Sequence, residues 1–125
     1  MQTTKDDQSF VLGLPMRIVR SRIASAVILK PEADRFLRNC TDERVKRSVE
    51  ETLDLLKARY DLGKHIPRHL FPPYYVLKWG LNNLYKCDLA LDWRLTYTLN
   101  SDGASIRVDV LEILPHPEYN KRFRY

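Results

Sequence analysis

Leu84-Tyr85-Lys86-Cys87-Asp88-Leu89, then Ala90-Leu91-Asp92, then Trp93-Arg94-Leu95-Thr96-Tyr97-Thr98-Leu99: the reading of this stretch decides the fold. In its second half Trp93, Leu95, Tyr97 and Leu99 alternate with Arg94, Thr96 and Thr98. Strict period-two alternation marks a strand buried on one face only. In its first half Tyr85, Cys87 and Leu89 alternate with Lys86 and Asp88, so the two runs form a hairpin with one apolar and one charged face.

Two registers keep the apolar faces aligned, because a slip of one residue moves every side chain to the other face. A three-residue loop at Ala90-Leu91-Asp92 pairs Tyr85 with Tyr97 and Cys87 with Leu95, and sets Asp88 opposite Arg94. A five-residue loop sets Lys86 opposite Arg94, and two cations without an internal partner suit a phosphate. The shorter loop is the commoner kind.

Working outward, Ile23 to Leu29 reads as a short strand. Pro31 then opens a helix, where its missing N–H costs nothing, and Ala33, Phe36, Leu37 and Cys40 form one apolar stripe. Thr41-Asp42-Glu43 starts a second helix, with a capping hydroxyl followed by acids in the first turn. Its stripe is Val45, Val49, Leu53, Leu56 and Tyr60, and Gly63 is expected to end it. Pro67, Pro72 and Pro73 exclude a long helix over 64–73, and residues 74–81 suit a short helix or turn. After the hairpin, Asp102-Gly103 marks a turn, and Ile106 to Leu114 a third long strand. Apolar residues on both of its faces make that strand central, buried on both sides at its far end, or bulged near 110–111.

The order is β-α-α-β-β-β. It predicts an α+β domain over 24–125, with a helical hairpin packed on one face of a small, mainly antiparallel twisted sheet. The other face is expected to stay open, with Lys86 and Arg94 projecting from it. Residues 1–23 read as a basic arm, flexible or added as an edge strand.

Composition agrees: 44% hydrophobic residues, seven Tyr, four Phe and two Trp argue against disorder in 125 residues. No apolar run approaches the roughly 18 residues of a membrane span. Acidic Asp6 and Asp7, with Pro15 and Arg17 interrupting the first apolar run, do not make a secretory signal. Cys40 and Cys87 read as small buried hydrophobes without framework spacing, so a reducing cytoplasm fits. The net charge of +5 is uneven: the arm and the sheet half are positive, whereas residues 31–63 hold seven Lys/Arg against eight Asp/Glu. Such a distribution suits an anionic partner, or no more than a basic inert surface.

Few motifs carry chemistry. His65 and His69 are four apart, but Pro67 breaks the helix that would aim both at one metal, so they read as surface residues and no metal site is expected. No Gly-rich phosphate loop, Cys-x-x-Cys or nucleophile elbow is present. His116, with Glu118 and Tyr119, is an acid/base candidate or part of a solvated tail.

The runs Asn83 to Leu89, Trp93 to Leu99, Val110 to Leu114 and His116 to Phe123 resemble the RelE/ParE superfamily of type II toxins, in particular its RelE/YoeB-like branch as found in archaea. The resemblance covers residues 24–125 and rests on a "[Trp/Tyr]-Arg-Leu-x-Tyr" strand and a basic C-terminus. It implies a cytoplasmic, cofactor-independent and metal-independent endoribonuclease that cuts mRNA on the ribosome and is neutralised by a cognate antitoxin. Arg94 then matches the strand arginine, Lys86 a lysine of the preceding strand, and His116 and Tyr119 the C-terminal proton-transfer groups. Lys78, Lys121, Arg122 and Arg124 are expected to follow the RNA. Two departures stand out: Asp88 replaces a second lysine, and a glutamate base has no counterpart beyond Glu112 or Glu118. The alternative is a non-catalytic module of the same fold, a topoisomerase inhibitor or an inactive toxin homologue. An Arg94 free beside Lys86, His116 and Tyr119 makes a nuclease-like site; an Arg94 clasped by Asp88 points to the fold without the chemistry.

Overall fold

The hairpin adopts the shorter register. In the computed structural model, which describes residues 21–124, strands β3 (Tyr85–Asp88) and β4 (Trp93–Asp102) pair Tyr85 with Tyr97, Cys87 with Leu95 and Asp88 with Arg94. The loop Ala90–Asp92 is one tight turn, closed by the Leu89 N–H on the Trp93 carbonyl and by Leu91 and Asp92 at positive φ. Residues 1–20, most of the expected arm, lie outside the described residues. The arm's described end is tied down by the Tyr60 N–H on the Arg22 carbonyl and by an Arg22–Asp61 ion pair.

The remaining strands are β1 (Ala26–Leu29), β2 (Lys64–His65) and β5 (Ser105–Pro115), and the sheet order is β1-β5-β4-β3-β2. Among the described strands only β1 and β5 run parallel; the other pairs are antiparallel. The third long strand is thus central and also bulged. Thr96 faces Glu112 and Tyr97 faces Val110, so Leu111 is the extra residue. The bulge reverses the inside–outside pattern: Val110 and Ile113 pack on the helix side, while Leu111 joins a second cluster on the other face.

Helices α1 (Pro31–Asn39) and α2 (Glu43–Ala58) cover the first face, as the two stripes require. Ala33, Val45, Val49 and Leu56 pack there against Leu95, Tyr97, Val108 and Val110. Cys40 and Cys87 are free thiols, and burial pushes the Cys87 thiol up to about 12. The cap of α2 is Asp42 rather than the Thr41 hydroxyl, because its carboxylate accepts from the Arg44 and Val45 N–H groups. Gly63 does not end α2, which stops five residues earlier. Gly63 serves a close approach: its N–H donates to the Tyr97 hydroxyl at 2.8 Å, and a Cβ there would lie 2.7 Å from the Lys86 carbonyl and 2.8 Å from the Tyr97 ring.

The second face is not open. Helices α3 (Pro73–Trp79) and α4 (His116–Phe123) lie over part of it. Ile66, Tyr75, Leu84, Leu111, Tyr119 and Phe123 form a second core beneath them. The C-terminal segment is therefore a helix. Pro117 in its first turn suits a helix start, and Tyr119 and Phe123, four apart, face inward as stacked rings 4.3 Å apart. Asn83, just before β3, extends the ladder with its side chain, which accepts from the Leu99 N–H and donates to the Leu99 carbonyl. No helix among the described residues is long and apolar enough to cross a membrane.

Candidate functional site

What α3 and α4 leave uncovered is a cleft of about 530 Å³ at the β2–β3–β4 end of the second face. Lys86 and Arg94 form its floor, Lys64 and Ile66 one side, and His116, Tyr119 and Asn120 of α4 the other. All four residues expected to carry chemistry thus line one cavity, although they come from three separate elements.

Each reaches it for a local reason. Lys86 and Arg94 sit at polar positions of the alternating strands, so the pleat turns them from the α1–α2 core. Arg94 is only 17% exposed; its guanidinium lies over the Tyr119 ring at 5.8 Å and donates to the Trp93 carbonyl at 3.3 Å. Tyr119 is itself buried, so it acts first as a shelf for Arg94 and as a core ring. His116, exposed at the head of α4, lies 3.2 Å through Nε2 from the Asn120 amide, one helical turn on.

Asp88 is clasped, as the short register requires. Its Oδ1 accepts from Lys86 Nζ at 2.8 Å and lies 3.0 Å from Arg94 Nε. The hydrogen bond from Lys86, then the charges of Lys86, Arg94 and Lys64, hold this carboxyl below its ordinary range despite some burial. Three cations surround one carboxylate, which leaves the cleft floor with a positive excess. Arg94 is therefore both paired with Asp88 and adjacent to Lys86, His116 and Tyr119.

The residues expected to follow RNA divide. Lys121 and Arg124 are exposed on α4 and at its end. Arg122 is not presented to solvent as a free cation: Nε and one terminal nitrogen donate to both oxygens of the buried Glu112, at 3.0 and 2.9 Å. Tyr75 donates to the same carboxylate at 2.7 Å and lies 2.9 Å from the Thr96 hydroxyl. Burial, then the Glu112 charge, pushes the Tyr75 phenol well up. Lys78 is tied to Glu32 at the start of α1 and lies over the Tyr74 and Trp79 rings. Glu112 is thus a structural acid, and Glu118 stands exposed outside the cleft lining. His65 and His69 are exposed; the His65 ring meets the Tyr85 edge at 5.3 Å, and no group of His, Cys, Asp or Glu among the described residues suits a metal.

Three polar cleft residues escape the sequence reading, and one of them is His65, expected at the surface but lining the cleft. Lys64 lies on a two-residue strand opposite Lys86, too short for any periodicity. Asn120 had a signal, since the His-Pro-Glu start of α4 places it four residues after His116 on the same helix face. No family model, curated protein or solved structure matches the chain.

Proposed function

We propose that the cleft binds a phosphodiester of RNA and cleaves it, and that the protein is a RelE-like toxin acting on ribosome-bound mRNA. The observation that carries this reading is the convergence of Lys86, Arg94, His116 and Tyr119 on one cavity with a cationic floor. The 2′-oxygen attacks the adjacent phosphorus, the bond to the 5′-oxygen breaks, and a 2′,3′-cyclic phosphate and a 5′-hydroxyl result. Lys86 and Arg94 stabilise the charge that develops on the phosphate oxygens. His116 exchanges a proton with an attacking or leaving oxygen, a contribution typically worth about 10²–10⁴-fold. Tyr119 keeps Arg94 level with the cleft floor. A cognate antitoxin would be the protein partner.

The test is induced expression of wild type beside Arg94→Ala and His116→Gln, with primer extension on translated mRNAs. Wild type is expected to arrest growth and give codon-linked cuts, and both variants to lose them. A wild type that gives neither arrest nor cuts sinks the nuclease reading. Asp88 favours a second reading, a non-catalytic protein-binding module of this fold, because its carboxylate already occupies the two cations. Arrest without mRNA cuts, with inhibition of a topoisomerase, would point there.

A further inference from the structure

Resting on the phosphate-binding reading of the cleft, we infer that Asp88 is a built-in brake: from outside the cleft lining its carboxylate holds the heads of two cations that a substrate phosphate must take, and RNA binds by displacing it from them. A single oxygen, Oδ1, bridges Lys86 Nζ at 2.8 Å and Arg94 Nε at 3.0 Å. That is the point on which two cationic heads converge, and a phosphodiester, with two non-bridging oxygens, can take both heads at once.

The exposures say which partner moves. The Lys86 and Arg94 side chains are 21% and 17% exposed, and the Asp88 side chain is 64% exposed. Arg94 is further held by the Tyr119 ring beneath it and by the Trp93 carbonyl. Asp88 is the last residue of β3 and needs only a side-chain rotation to leave its oxygen's place to a phosphate. Lys64, across from Lys86 on β2, adds a third positive charge, so the floor attracts an anion even with Asp88 ionised. Asp88 therefore weakens RNA binding without abolishing it, and it gives the site a preference for ligands able to compete with a tethered carboxylate.

The experiment measures fluorescence anisotropy of a labelled, uncleavable 2′-O-methyl oligoribonucleotide with wild type, Asp88→Asn, Asp88→Ser, Arg94→Ala and Asp88→Asn/Arg94→Ala. Glu50→Gln, on the exposed face of α2, makes the same change in net charge away from the cleft. Removing a carboxylate from two cations at contact distance is expected to tighten binding about tenfold. The gain should appear in both Asp88 variants, be absent in Glu50→Gln, and shrink when Arg94 is also replaced, because Lys86 is then the one bridged cation left to free. The brake is overturned if the Asp88 variants bind like wild type or weaker, gain no more than Glu50→Gln, or keep their full gain without Arg94. If that happens while Arg94→Ala still weakens the wild type, the phosphate reading of the cleft stands alone. If neither wild type nor any variant binds, the phosphate reading fails and the brake falls with it.

Discussion

Replacing Arg122 by Met is expected to cost stability and to leave RNA binding nearly unchanged. Arg122 donates two charge-assisted hydrogen bonds to Glu112, whose side chain is 7% exposed, while its own side chain is 32% exposed. Breaking a buried ion pair by removing one partner typically costs about 3–5 kcal/mol, because the remaining charge stays buried without compensation. Two features lower the figure here. Water reaches part of the guanidinium, and Tyr75 still donates to Glu112 at 2.7 Å. A loss of about 2–4 kcal/mol follows, or roughly 6–15 °C in Tm for a domain of this size. Urea denaturation followed by circular dichroism at pH 7, with unchanged slope, measures it. Glu112→Gln/Arg122→Met removes the orphaned charge and should recover part of the loss. If Arg122→Met unfolds within about 0.5 kcal/mol of wild type, the ordinary spread of a surface substitution, and RNA binding weakens instead, then Arg122 faces the ligand and the structural account is refuted.

Two further outcomes follow from the packing. Gly63→Ala forces a methyl against the Lys86 carbonyl at 2.7 Å, which cannot yield without loosening the β2–β3 pair, so about 2–3 kcal/mol of stability should be lost in urea; a neutral result would mean this close approach is relaxed easily. Asp109 is buried, which by itself raises its carboxyl, but Arg107 at 2.8 Å and Asn100 outweigh burial and hold it below its ordinary value. A depressed folded value contributes stability above about pH 4 that is lost as the pH falls through the folded value. Wild type should therefore lose its advantage over Asp109→Asn in denaturation between about pH 5 and pH 2, and a gap that stays constant with pH would contradict the assignment.

Local pattern was enough for the α+β class and the two helices on one face, and it narrowed the hairpin to two registers and the third long strand to a central or bulged one. Those features follow from periods of two and 3.6 residues and from loop length, all short-range properties of the chain. The second core was harder to see. Tyr75, Leu84, Leu111, Tyr119 and Phe123 come from four segments, and none of those segments carries a long apolar stripe. Ile113 returns to the helix side, away from Leu111, only because of the bulge. The tail looked polar because most of its residues are, yet two rings one turn apart suffice to dock it.

The site divides in the same way. The residue types at 86, 94, 116 and 119 and the alternation that aims the first two away from the core are legible in the chain itself. That these four share one cleft depends on α4 folding back over the sheet, a long-range docking that no local spacing encodes. Which cations remain available was likewise decided only by tertiary packing. Arg122 and Lys78 look no different from Lys121 in sequence. Acids on other elements, buried Glu112 and half-buried Glu32, take the first two, because an ionised carboxylate drawn out of water must find a partner.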